Sequence, residues 1–218
     1  MKLIFIATSL FISFQAMSHT DESSLKKKLS FFPSELGFAD QVATQYIKVV
    51  GGKMTGFTKT SKEKAKTLAS YAIIEAVMNS ETFKERVINF KNSQGQRSYT
   101  SNKGMTNEQI YEFLMSGKEL IRGETTLGEM NFDVNRYSRW WSKVIGYTNP
   151  GKSNTIHVNG KFYSKYTLTQ IASNITHEWI HLNGFYHDSA RDHDSVPYAI
   201  GYIMESLAEQ YVRDGYID

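Results

Sequence analysis

The 218-residue chain contains no cysteine. Disulfides are excluded, and so is any metal-ligand set built on thiolate. A net charge of +3 is too small to mark a nucleic-acid or membrane-surface binder. The basic run Lys26-Lys27-Lys28 and the cluster over residues 59–66 therefore read as solvated faces. Only one long apolar run occurs, over residues 3–14, and it is shorter than the about 20 residues a spanning helix needs. Internal repeats and low-complexity segments are absent too. Aromatic residues are plentiful: 13 Tyr, 13 Phe and 3 Trp can fill a substantial core.

The early apolar run has a different reading. Lys2 precedes it, and Ala16-Met17-Ser18 follows as a small-x-small site. Together these predict a secretory signal peptide over residues 1–18, with an uncleaved anchor as the alternative. Residues 19–218 then form the mature chain, expected to be one periplasmic or secreted domain without stable membrane insertion. An exported protein of this size with no cysteine suits a bacterial envelope, where the core alone can hold the fold.

Residues 19–60 read as a mobile start or a pro-segment, with an ambiguous apolar stretch over 31–50 ended by Gly51-Gly52. Residues 61–120 read as mainly helical. Ala65, Leu68, Ala72, Ile73, Ala76 and Val77 recur at helical spacing, and Ser80 can cap a second helix carrying Phe83, Val87 and Phe90. A polar loop over 91–105 leads to Thr106-Asn107-Glu108-Gln109, a capping box. After residue 125 the period shortens. Met130, Phe132 and Val134 alternate, and residues 155–158 and 161–164 predict a hairpin around Asn159-Gly160. Thr167 can cap the next helix, whose apolar face is Leu168, Ile171, Ile175 and Leu182. Ser195 and Pro197 open a closing helix with Ile200, Ile203, Leu207 and Tyr211 as its core stripe. Trp140 and Trp141 are expected in the core, with a cleft-lining position for one of them as the alternative.

The chemistry concentrates in residues 177–187. On a helix, His177 and His181 leave the same face one turn apart, a spacing that lets both bind one zinc ion at about 2.0–2.1 Å. Glu178 projects toward the same cleft, placed to take a proton from a zinc-bound water. Gly184 can end the helix in the left-handed conformation, and the turn brings in His187 as a third ligand. Three protein ligands leave a fourth position open, as catalytic zinc sites do.

His177-Glu178-x-x-His181-x-x-Gly184-x-x-His187, followed by Asp188, resembles the long zinc signature of the metzincin metallopeptidases. The resemblance covers the motif and, loosely, the element order from about residue 125 onward. It implies an α+β, zincin-like domain with a mixed sheet, a zinc helix and a closing C-terminal helix. It also implies Zn2+ as cofactor and a peptide or protein as substrate. In that family a strand on the cleft rim pairs with the bound peptide. Residues 155–158 or their hairpin partner are the candidates here, unless the hairpin only shields the core.

The chain departs from the family at the methionine turn. Met204 is the only methionine after His187, and its surroundings look helical. Either Met204 lies beneath the metal, or the Ser195-Val196-Pro197-Tyr198 turn fills that place, which is the preferred reading. Tyr198 is a candidate donor to developing negative charge, or else a buried tyrosine bonded to backbone. Glu205 is the competing third ligand, because other zinc peptidases supply a glutamate from a later helix. Asp188 is expected to orient the loop or a ligand, and Asp192-His193-Asp194 to be a solvated loop.

The leading expectation is an exported zinc metalloendopeptidase with a Glu-activated zinc-bound water. The alternatives are a zinc amidase acting on cell-wall peptides and a non-enzymatic zinc-binding domain on a peptidase fold. Substrate identity, latency and oligomeric state lie beyond the sequence.

Overall fold

A computed structural model describes residues 46–57, 62–121, 128–188 and 192–215. The expected signal peptide and the segment 19–45 lie outside the described residues. The fold is α+β: within the described residues four strands form one mixed sheet, accompanied by six helices. In chain order these are β1 (Lys48–Thr55), α1 (Lys62–Met78), α2 (Glu81–Ile88), α3 (Asn107–Met115), β2 (Glu129–Tyr137), β3 (Gly146–Tyr147), β4 (Thr155–Asn159), α4 (Gly160–Tyr163), α5 (Leu168–Leu182) and α6 (Val196–Arg213). Among the described residues no helix is long and apolar enough to cross a membrane.

The sheet order is β1-β2-β4-β3. β1 and β4 both run parallel to β2, and short β3 closes the edge antiparallel to β4. Met130, Phe132 and Val134 of β2 and Ile156 and Val158 of β4 send their side chains into the core. The core is completed by Ile73, Ile74 and Val77 of α1, Ile171, Ile175 and Trp179 of α5, and Ile200 and Leu207 of α6.

Local signals in the sequence act as they should. Ser80 accepts from the Phe83 amide, and Thr106 and Thr167 each close a full capping box, with Gln109 and Gln170 respectively. Residues 91–105 hold neither helix nor named strand. They are tied to the turn before α6, where Asp194 accepts from Ser93 and Asp192 from Thr100.

Three expectations need correction. The stretch before Gly51-Gly52 is not ended by the glycines: β1 runs through both. A β-carbon on Gly51 would strike the Tyr71 ring, and one on Gly52 the Asp133 carboxylate, so the glycines admit close neighbours within the strand. The hairpin around Asn159-Gly160 does not form either. A type I′ turn needs positive φ at both residues, whereas Asn159 is extended at φ −86°. Its buried side chain instead bonds the backbone of Arg139, Val144 and Lys161, and residues 160–163 become α4. Finally, Trp140 and Trp141 are not core residues. They sit on the β2–β3 connection, 76% and 67% exposed, packed edge-to-face on one another at 5.7 Å.

Candidate metal centre

α5 carries the first two histidines because its apolar face is held between α1 and α6, which turns His177, Glu178 and His181 toward a cavity of about 770 Å³. The helix ends in a Schellman motif. The Gly184 amide donates to the His181 carbonyl at 2.8 Å and the Phe185 amide to Ile180 at 3.3 Å, with Gly184 at φ +87°. Phe185 is fully buried against Phe113 at 5.6 Å between ring centroids, which fixes the direction of the returning chain. That return delivers His187 to the other two rings, at centroid distances of 5.5 Å from His177 and 4.9 Å from His181.

One ligand atom from each of His177, His181 and His187 lies within 4.8 Å of the others, so the triad could hold a metal ion. Nε2 of His177 and Nε2 of His181 are 3.2 Å apart. Nδ1 of His181 lies 2.7 Å from the Phe185 carbonyl, an acceptor, and must therefore carry the ring proton. His177 bonds to the backbone of Pro197, which has only a carbonyl to offer. With its Nε2 turned to His181, Nδ1 is the nitrogen that serves Pro197. Both Nε2 atoms thus present lone pairs to each other. That contact is repulsive by itself and becomes favourable around a cation, since two nitrogens on one tetrahedral ion at about 2.0–2.1 Å stand about 3.3 Å apart. The donor set fits zinc.

Burial also keeps His177 and His181 neutral. It lowers the His177 ring to about 3, with further depression from His181 and His187, and lowers His181 to about 4. Glu178 is 4% exposed, and burial pushes its carboxyl up to about 8. Its Oε1 faces Gly146 of β3, where a β-carbon would approach to 2.9 Å. Tyr198, in the first turn of α6, packs its ring 4.6 Å from His177 and 4.7 Å from His187.

Other expected residues stand elsewhere. Glu205 lines the cavity from α6 but is not in the ligand cluster, and it hydrogen-bonds with Ser173 and Gln170. Asp188 is exposed, and main-chain carbonyls orient His177 and His181. Met204 is buried in α6, two turns beyond Val196-Pro197; Tyr198 of the first turn packs on the His177 ring, and Gly201 of the next turn lies against the His177 β-carbon. The rim strand is corrected as well. β4 is paired to β2 along its length and to β3 at His157 and Val158, so the edge strand of the sheet beside the cleft is β3. Gly146 was missed in the sequence, where a glycine after Val144-Ile145 was the only signal for it. A comparison with protein-family models and with curated proteins finds no match to this chain.

Proposed function

We propose that the chain is an exported zinc-dependent metallopeptidase, a divergent relative of the metzincins. The observation that carries this reading is the convergence of three histidine nitrogens beside a buried carboxylate, at the wall of an open cleft. His177, His181 and His187 would hold the ion. Bound there, zinc supplies Lewis acidity toward a carbonyl oxygen and makes water acidic enough to ionise near neutral pH.

The chain's own residues do the rest. Glu178 takes a proton from the attacking water and delivers it to the leaving amine. Tyr198 is the donor for the negative charge that develops on the carbonyl oxygen. The free edge of β3 supports main-chain pairing with an extended peptide. A buried carboxylate beside the triad favours a catalytic centre over a structural one, which has no use for a base.

Glu178→Gln tests the reading. The amide keeps volume and polarity but cannot accept a proton, and general-base catalysis contributes about 10²–10⁴-fold. Casein hydrolysis should fall by that order while zinc stays bound. Purified sacculi, assayed beside casein, separate a peptidase from a wall amidase. Unchanged activity in the variant would remove Glu178 from the mechanism.

A further inference from the structure

The cavity continues past the metal centre between α5 and α6, and its far wall carries a second carboxylate with no part in the triad. Gln170, Ser173 and His177 follow one another along the face of α5 that lines it, and Glu205 reaches in from α6. Gln170 and Ser173 hydrogen-bond Glu205. Ser173 has a single hydroxyl proton, however, and its Oγ also donates to the Gly201 carbonyl at 2.9 Å. A carboxylate offers about four acceptor sites, so these donors leave much of its capacity unused. Among the described residues no lysine or arginine pairs with Glu205. The one lysine lining the cavity, Lys143, comes from the β2–β3 connection rather than from α6.

The surroundings favour a guest of one charge. Glu209, one turn along α6, repels the Glu205 carboxylate, and burial is the larger cause holding that carboxyl above its ordinary value. Tyr166 and Tyr202 also line the cavity, and aromatic rings attract cations. Ser173 and Gln170 precede His177 by four and seven residues, which places Glu205 about 6–10 Å along the helix axis from His177, the nearest of the α5 ligands. An extended peptide covers that distance in about two to three residues.

We propose that Glu205 makes this end of the cleft a subsite for an alkylammonium group of the substrate, the side chain of a lysine or a free amino terminus. The inference takes the peptidase reading as its basis for calling the guest a substrate. It gives a role to a part-buried carboxylate that lines the cleft beside the metal ligands with no cationic side chain paired to it among the described residues.

Binding tests it without turnover. The probes are acetylated pentaalanine amides carrying one lysine or one norleucine at each position, together with the unacetylated pentaalanine amide. Affinities are measured by calorimetry on the zinc-loaded Glu178→Gln protein. Lysine should bind about tenfold more tightly than norleucine at one position, the scale of a part-buried ion pair. A gain confined to the unacetylated peptide would assign the subsite to the amino terminus instead. Adding Glu205→Gln should erase the preference while the melting temperature stays within about 2 °C. Adding Glu205→Lys should transfer the preference to a glutamate peptide, which loss of a structural contact could not do. A lysine preference that survives Glu205→Gln, or no preference anywhere in the series, overturns the proposal. The peptidase reading fails separately, if zinc-loaded wild type leaves the bound peptides uncut while the binding ratio persists.

Discussion

Gly146 lies against Glu178, so that a side chain at position 146 would crowd the carboxylate. A β-carbon on Gly146 would stand 2.9 Å from Glu178 Oε1, 3.1 Å from Asn174 Oδ1 and 3.2 Å from the His157 carbonyl. The carboxylate therefore lies against the edge strand, and a side chain at position 146 would push on it.

Gly146→Ala should displace Glu178 and leave the histidines in place. Overpacking of this kind costs about 1–3 kcal/mol. Caseinolytic activity should fall at least tenfold, with zinc affinity within about twofold of wild type. A variant as active as wild type would show that the carboxylate is not held by β3.

Gly184→Ala attacks the third ligand through the backbone. The residue holds φ +87°, and a β-carbon there would also crowd Lys103 and Leu120. A strained alanine costs about 1–3 kcal/mol. Because the same turn supplies His187 and the Phe185 carbonyl that orients His181, zinc affinity should drop about tenfold or more. Competition with a chromogenic chelator measures it, and an unchanged affinity would detach the turn from the site.

The metal-free protein should have a stability maximum near pH 6.5. Folded Glu178 keeps its proton up to about pH 8, while the unfolded carboxyl releases it near 4.5, so its contribution is lost as pH rises through that interval. The histidines act in the opposite direction. Unfolded rings gain protons below 6.5, whereas folded His177 and His181 resist until about 3 and 4, so stability is lost as pH falls below 6.5. Urea midpoints of chelator-treated protein should decline on both sides of the maximum. In Glu178→Gln the decline between pH 6.5 and 8 should disappear.

Much of this was legible in the sequence because the signals are local. Caps at Ser80, Thr106 and Thr167, the alternation in β2 and the spacing of the three histidines depend on neighbours within one or two turns. What was not legible depends on contacts distant in the chain. Gly51 and Gly52 look like a break until Tyr71 and Asp133 are seen to occupy the missing side chains' space. Asn159-Gly160 looks like a turn until the Asn159 side chain is found bonded to Arg139 and Val144. The orienting carbonyls of Phe185 and Pro197 carry no side-chain signal at all.

The exposed tryptophans give a simple check on that correction. Trp140→Ser and Trp141→Ser should each change stability by no more than about 0.5 kcal/mol, as exposed substitutions do. Loss of a core tryptophan would cost about 3–5 kcal/mol in urea unfolding. A change of that size would return them to the interior.

Elemental analysis bears most directly on the triad. Wild-type protein, purified without chelator, should carry about one zinc per chain, and His177→Ala with His181→Ala should carry none, since one remaining histidine cannot hold the ion against water. His187→Ala should weaken binding strongly, and Glu205→Ala should leave it intact. Stoichiometric zinc in the double variant, or zinc lost on replacing Glu205 and kept on replacing His187, would contradict the assigned centre.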